Sequence, residues 1–159
     1  MVEPRMRPAT LSLLVLLGTA ACTQEIDHGD PACAFDETGC LPSELVIEVH
    51  SDTVSPTAVL QASSTTESWR REGVLGEIGD LLEDEPGRIA PRVELSLTGD
   101  MELADLRILR VRSGADLELV EQMQIGRDPQ VVRLETGERY VIEVRVGPDA
   151  VFSFLTVVP

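Results

Sequence analysis

The chain has 159 residues, and its 28 acidic against 13 basic residues give a formal net charge of −15. This charge repels the phosphates of nucleic acids, which excludes nucleic acid as a partner. Aromatic residues make up only 3% of the chain. A hydrophobic core needs most of them, so an exposed stacking surface for sugars is not expected. The length allows one domain of ordinary size.

Residues 1–21 have the layout of an export signal. Arg5 and Arg7 precede an apolar run over Ala9–Leu17, and the small residues 18–21 follow it. An apolar run of this length is too short to span a bilayer permanently, whereas it is typical of a signal peptide that is removed after export. We therefore predict that residues 1–21 are a signal peptide and that the rest of the chain is exported.

A cysteine stands directly after this signal. Ala20, Ala21 and Cys22 resemble the lipobox of bacterial lipoproteins, in which the cysteine thiol receives a diacylglycerol and becomes the new amino terminus. The resemblance implies lipid attachment at Cys22, and so a protein anchored to a membrane of the cell envelope. The lipobox usually has leucine where this chain has Thr19. This departure leaves open cleavage by an ordinary signal peptidase, which would give a secreted or periplasmic protein with a free Cys22.

Residues 22–43 are predicted to form an acidic tether. They combine acidic residues with glycine and proline and show almost no apolar periodicity, so they cannot bury enough surface to fold alone. Cys33 and Cys40 lie close enough in sequence to pair in an oxidising compartment, and we predict a disulfide between them. The alternative is a metal site that adds His28 and Asp30 to the two cysteines, although its spacing is unlike that of ordinary zinc sites.

From residue 44 onward, apolar and polar residues alternate with the period of two that is typical of a half-buried strand. In Arg92–Thr98, for example, Val93, Leu95 and Leu97 share one face. The predicted strands are Glu44–His50, Arg92–Thr98, Leu106–Arg112, Leu117–Gln124, Val131–Glu135, Arg139–Val146 and Val151–Val158. Short strands separated by turn signals indicate an all-β fold for residues 44–159, built as an antiparallel β-sandwich.

The segment that leads into the sixth of these strands carries a more specific signal. Leu134, Gly137 and Tyr140, followed by alternating apolar residues, resemble the tyrosine corner of immunoglobulin-like and fibronectin type III domains. The resemblance implies an immunoglobulin-like sandwich in which the Tyr140 hydroxyl bonds to the backbone upstream of it. The fibronectin pattern usually has a core tryptophan in its second strand, and Arg92–Thr98 has none.

A long insertion of about 40 residues separates the first two predicted strands. Ala58–Ala62 is predicted as a second edge piece, and the apolar spacing of Val74–Leu82 predicts a short helix. With Trp69, these apolar residues either cover an open edge of the sandwich, which we favour, or contact a partner. In the usual strand order, the first strand begins at the end that carries Asp100 and Asp149, and the insertion lies at the opposite end.

The sequence contains none of the common catalytic motifs. G-x-S-x-G, H-E-x-x-H, the phosphate loop and the dinucleotide fingerprint are all absent from it. The two histidines, His28 and His50, have no evident nucleophile to activate. We therefore predict a protein that is not an enzyme and needs no cofactor.

Acidic loops suggest an alternative function. Asp100, Glu102 and Asp105 are predicted to occupy the loop after Arg92–Thr98, and Asp149 lies in a hairpin at the same end of the sandwich. Carboxylates from neighbouring loops suit calcium, so a calcium-dependent adhesion or binding domain is the alternative. The main prediction is a non-catalytic lipoprotein of the cell envelope, acting as an interaction or structural module. Ser63–Arg88 is then the first place to look for a protein partner.

Overall fold

The computed structural model describes residues 41–52, 55–64, 67–75 and 78–159. Within these ranges the chain forms strands, turns and a single four-residue helix, α1 (Ile78–Leu81). The strands are β1 (Glu44–His50), β2 (Thr57–Ser63), β3 (Ser68–Glu72), β4 (Val74–Leu75), β5 (Gly87–Arg88), β6 (Arg92–Gly99), β7 (Ala104–Val111), β8 (Leu117–Ile125), β9 (Gln130–Arg133), β10 (Glu138–Val146) and β11 (Ala150–Val158).

The strands form two sheets. Sheet 1 has the order β3-β2-β1-β6-β9, and sheet 2 has the order β4-β11-β10-β7-β8, with β5 also paired to β11. Alternate residues of both sheets turn inward, so that Leu45 and Ile47 of β1 share one fully buried core with Ile142 of β10 and Phe154 of β11. The structure therefore confirms the all-β sandwich that the alternating pattern predicted.

Two details of the strand assignment differ from the sequence prediction. Ala58–Ala62 belongs to β2, which lies between β1 and β3, so the prediction of an edge piece was wrong. Asp105 lies inside β7 rather than in the loop before it, because β7 begins at Ala104. By contrast, Glu44–His50 is a strand with the bounds that its alternation predicted.

β1 and β6 run parallel, with Glu44 opposite Glu94 and Val49 opposite Gly99. The path of the chain explains this direction. β2 and β3 cross sheet 1 twice after β1, each antiparallel to the strand before it. β4 then pairs with the start of β11, and β5 pairs with its end, so the chain crosses a third time along the side of sheet 2. Three crossings return the chain to the end where β1 began.

We call the end of the sandwich at which β1 begins the tether end, and the opposite end the far end. Leu41 and Pro42 are buried at the tether end, where the Pro42 carbonyl accepts a hydrogen bond from the Ala90 N–H at 2.9 Å. Asp100 and Asp149 lie at the far end, after β6 and β10. The expectation that the first strand begins beside these carboxylates was therefore wrong. The insertion runs along the sandwich rather than lying at one end.

The chain passes from sheet 1 to sheet 2 at Gly73. Its N–H donates to the Ala58 carbonyl at 2.8 Å, and a Cβ added to it would lie 2.8 Å from the Cβ of Phe152. Only glycine lets the backbone pass this close. β4 then pairs with β11 in an extended conformation, so the helix predicted over Val74–Leu82 is confined to Ile78–Leu81.

α1 covers the outer face of sheet 2 beside this crossing. Leu81 is only 1% exposed, and it packs with Leu109, Val141 and Leu155 in a second apolar cluster outside the main core. Middle strands β10 and β11 are consequently buried on both faces over most of their length. Leu109 of β7 points to the outer face of sheet 2 and belongs to this same cluster.

Trp69 of β3 closes the same side of the sandwich. Its ring lies against Gly87, where an added Cβ would be 2.6 Å from the ring, and its indole N–H donates to the Arg88 carbonyl at 3.2 Å. Trp69, β4, β5 and α1 together cover the edge and the outer face at β11. The insertion thus has the edge-covering role that the sequence analysis favoured.

Candidate interaction surface

The predicted lipid-attachment residue, Cys22, lies outside the described residues. So do Cys33 and Cys40, the two cysteines of the predicted disulfide, and His28 of the alternative metal site. The lipid attachment, the disulfide and the alternative metal site therefore stay predictions from the sequence. In the part of the chain that the structure describes, no helix is long and apolar enough to cross a membrane.

Tyr140 lies at the start of β10 with its ring fully buried. Its hydroxyl accepts a hydrogen bond from the backbone N–H of Glu135 at 2.9 Å. In the same turn, the Leu134 N–H donates to the carbonyl just before β6 at 2.7 Å, and the N–H of Gly137, at φ +83°, donates to Val158 at 2.7 Å. These bonds tie the connection between the two sheets to both of them, so the turn has a structural role.

Arg110 of β7 packs against this turn. Its guanidinium lies 5.9 Å from the centroid of the Tyr140 ring and donates to the Glu135 carboxylate at 2.7 Å. The hydrogen bond to Glu135 raises the pKa of Arg110 above its ordinary value. Because this charge is already paired within the protein, Arg110 is a poor candidate for binding an external anion.

Two of the carboxylates considered for calcium, Asp100 and Asp105, have other partners at the far end. Asp100 accepts the backbone N–H of Ser51 at 2.9 Å, and Asp105 accepts the side-chain amide of Gln124 at 3.4 Å. Asp105 also stands opposite Arg145 in sheet 2. Across the described ranges, no three Asp, Glu, His or Cys side chains come close enough together to hold a metal ion.

His50 belongs to a polar cluster on the outer face of sheet 1. Its Nε2 lies 3.0 Å from Glu48 Oε1, and its Nδ1 lies 4.0 Å from Asp100 Oδ1. The Glu48 carboxylate also accepts the amide of Gln61 at 3.0 Å and lies 3.7 Å from Arg70. The hydrogen bond to His50 lowers the pKa of Glu48 below its ordinary value. The cluster joins β1, β2 and β3, which accounts for it structurally.

The longest open strand edge of the described sandwich is at β8. It is the last strand of sheet 2, and none of the described strands pairs with its outer side. β8 has nine residues, whereas the outermost strands of sheet 1, β3 and β9, have five and four. The opposite edge of sheet 2 is covered by β4 and β5. β8 therefore offers an extended row of backbone N–H and C=O groups for pairing.

The outer face of β8 is apolar near the tether end. Leu117 and Leu119 stand opposite Val111 and Leu109 of β7. Leu109 is buried in the cluster under α1, and Leu117 packs against that cluster, whereas Leu119 is 48% exposed. The outer apolar cluster thus continues to the open edge, where Leu119 is exposed to solvent.

The inner face of β8 carries exposed carboxylates. Glu121 stands opposite Ile108, a residue of the main core, so the Glu121 side chain leaves sheet 2 on the inner side. Glu118 lies on the same side, and its carboxylate accepts a hydrogen bond from Arg112 at 2.7 Å. Between them, Val120 has no partner on β7; it is the extra residue of a β-bulge and is 36% exposed.

A partner contact in Ser63–Arg88 stays a prediction from the sequence, and the open edge of β8 was not predicted. Leu117–Gln124 was predicted as a strand, but its position in the sheet depends on the strand order, which no local pattern contains. One local signal was available. Leu119 and Val120 are adjacent apolar residues that break the alternation of the strand, and such a break is what a bulge produces.

Comparisons of the chain with protein-family models, with curated proteins and with solved structures give no match. The choice of a candidate interaction surface therefore depends on the geometry of the described residues alone. By that measure the open edge of β8, with its exposed Leu119, Val120 and Glu121, is the candidate interaction surface.

Proposed function

We propose that this protein is an exported, lipid-anchored interaction module of the cell envelope, without catalytic activity. The observation that carries the binding role is the open nine-residue edge of β8, beside the exposed side chains of Leu119 and Val120. Unpaired backbone groups flanked by exposed apolar side chains are the features by which a sheet recruits an additional strand. The basic and apolar leader followed by Cys22 supports the location.

The position of β8 suits a protein displayed from a membrane. The predicted tether joins the sandwich at the tether end, and a flexible tether of about twenty residues spans about 25 Å. β8 begins near the tether end and runs about 30 Å toward the far end, at the usual rise per residue of a strand. A sandwich anchored through Cys22 would therefore present this edge to the aqueous space rather than to the bilayer.

We also propose that the sandwich is immunoglobulin-like. The order β11-β10-β7-β8 in one sheet, with β6-β9 in the other, corresponds to the order of strands G, F, C and C′ and of strands B and E in that fold. The hydrogen bond between Tyr140 and Glu135 supports the same proposal. The parallel β1–β6 pair is a departure from the fold, and the crossing path of the insertion is its cause.

The mature amino terminus tests the anchoring. Mass spectrometry of the native protein is expected to find a chain that begins at Cys22 and carries diacylglycerol. The Cys22→Ser variant should leave the membrane fraction, whereas the matched Cys33→Ser variant should remain in it. A native chain that begins at Met1 in the cytosol would overturn the proposal, and a chain that begins at Cys22 without lipid would replace anchoring with secretion.

Site-specific cross-linking in the native envelope tests the binding role. A photoreactive residue at Val120 is expected to give a cross-linked product, while the same residue at Thr98, which is exposed on the outer face of sheet 1, is expected to give none. Equal products from both positions would indicate collisions rather than a specific surface. The absence of any product at Val120 would contradict the assignment of β8 as the interaction surface.

A further inference from the structure

The two faces of β8 restrict the kind of strand that can join it. A strand added to an open edge places its side chains alternately on the two faces of the sheet, next to those of the edge strand. At β8 the outer face presents Leu119, and the inner face presents Glu118 and Glu121. We propose that β8 binds an extended segment of a partner protein in which cationic residues alternate with apolar residues. This inference rests on the proposed role as an interaction module and names the class of partner.

Part of this pattern occurs in the strand already paired with β8. β7 and the residue after it read Leu106–Arg112, LRILRVR, in which arginines are interspersed with apolar residues. Arg110 stands opposite Glu118 and Leu109 opposite Leu119, whereas Ile108 stands opposite Glu121. β7 therefore places a cation beside one carboxylate of β8 and an apolar residue beside the other. A cationic side chain beside Glu121 would have to come from a strand on the open side.

Charge favours a cationic partner over a neutral one. Glu121 is exposed, and among the described residues it has neither an ion pair nor a side-chain hydrogen bond. The whole chain carries a formal charge of −15, which attracts a basic segment from a distance and speeds its association. Opposite charges directly across two paired strands stabilise them, whereas like charges destabilise them.

The net charge of −15 disfavours a second copy of the chain, and one register of self-pairing adds a local repulsion. If two β8 edges paired antiparallel with Leu119 facing Val120, Glu118 of each copy would face Glu121 of the other. Two like-charge pairs would then oppose the contact, in addition to the repulsion between two chains of charge −15. The chain's own tether is equally unsuitable, because residues 22–43 contain acidic residues and no arginine.

Peptide binding to the full chain, purified in mild detergent, tests the proposal. The probe is a fluorescent peptide with the sequence LRILRVR, and the control peptide is LEILEVE. Fluorescence anisotropy is expected to show binding of the arginine peptide only. Glu121→Arg should weaken that binding roughly tenfold, because one attraction becomes a repulsion, and should allow the glutamate peptide to bind. The matched variant Asp149→Arg makes the same change in net charge in the turn before β11 and should alter the affinity less than about twofold.

Three results would overturn the proposal: equal binding of both peptides, equal loss of affinity in the Glu121 and Asp149 variants, or no binding of the arginine peptide to a chain that keeps the unfolding temperature of the wild type. A stable dimer of the chain alone, with β8 covered, would assign the edge to a second copy and would also overturn it. None of these results depends on export or lipid, so the mass of the mature amino terminus distinguishes a failure of this inference from a failure of the proposed location.

Discussion

β11 and β8 lie toward opposite sides of sheet 2, but only β11 has further described strands, β4 and β5, paired beyond it. β11 and β8 both have nine residues, but β11 is buried throughout Phe152–Thr156, whereas in β8 only Ile125 is buried. The difference comes from the insertion, which lays β4, β5 and α1 against β11. A long uncovered strand edge can pair with another chain, and a β-bulge and inward-pointing charges, both present in β8, restrict which strands can do so. The contrast identifies β8 as the open edge of sheet 2, at which we propose that a partner binds.

The largest predicted effect compares a leucine of α1, which covers sheet 2 beside β11, with a leucine of the open edge at β8. Leu81→Ala should lower the free energy of unfolding by about 3 kcal/mol, because it empties a site between α1 and the outer face of sheet 2. Leu119→Ala at the open edge should change it by less than about 0.5 kcal/mol, since that side chain is half exposed. Urea unfolding of the two variants measures both values. Similar losses in the two would mean that the edges are equally structured, and the contrast would fail.

Gly73 gives the next largest effect, because it lets the insertion reach the covered edge. Gly73→Ala should cost about 2 kcal/mol, since the added methyl group meets the Cβ of Phe152 at a distance that real contacts do not reach. Gly79→Ala is the matched control. In the described structure nothing lies within 4 Å of its added Cβ, so alanine should stabilise α1 by about 0.5 kcal/mol. If both substitutions changed the free energy of unfolding in the same direction, this path for the insertion would be contradicted.

Much of sheet 1 and sheet 2 could be predicted from the sequence because a strand with one buried face has a local period of two. Glu44–His50 is the clearest case. The parallel β1–β6 pair could not be predicted, because it depends on how many times the insertion crosses the sandwich. The apolar residues of Val74–Leu82 fit a helix, but Val74 and Leu75 pair with β11 instead. The open edge at β8 was missed for a similar reason, since strand order is a property of the whole domain.

A smaller effect concerns the turn between β9 and β10, which is hydrogen-bonded to β11 through the N–H of Gly137. Tyr140→Phe removes the hydroxyl that accepts the Glu135 N–H and should lower the free energy of unfolding by about 1 kcal/mol, because the backbone donor loses its partner. The loss should appear in thermal unfolding without any change in binding of the LRILRVR peptide. An unchanged unfolding temperature would mean that water replaces the hydroxyl at no cost, and the turn would not tie the sheets as described.

The smallest effect lies on sheet 1, away from both edges, and is seen in the pH dependence. The hydrogen bond from His50 lowers the pKa of Glu48 below its ordinary value of 4.5. A carboxylate with a lowered folded-state pKa stabilises the fold above the ordinary pKa and loses that contribution as the pH falls through the lowered one. The difference in stability between the wild type and Glu48→Gln should therefore shrink as the pH falls below 4.5. Glu94→Gln, on the same face, is the control. If its stability difference from the wild type changed with pH as steeply as that of Glu48→Gln, the assignment to Glu48 would be contradicted.

Site-resolved hydrogen exchange of β8 and β11 tests the central contrast most directly. In the protein alone, amides on the open side of Leu117–Ile125 should exchange much faster than those of Phe152–Val157, because only that part of β11 is paired with strands on both sides. Addition of the LRILRVR peptide should slow exchange in β8 and leave β11, β3 and β9 unchanged. Slow exchange in β8 before the peptide is added, or protection that appears in another strand, would contradict the claim that β8 is the open edge at which a partner binds.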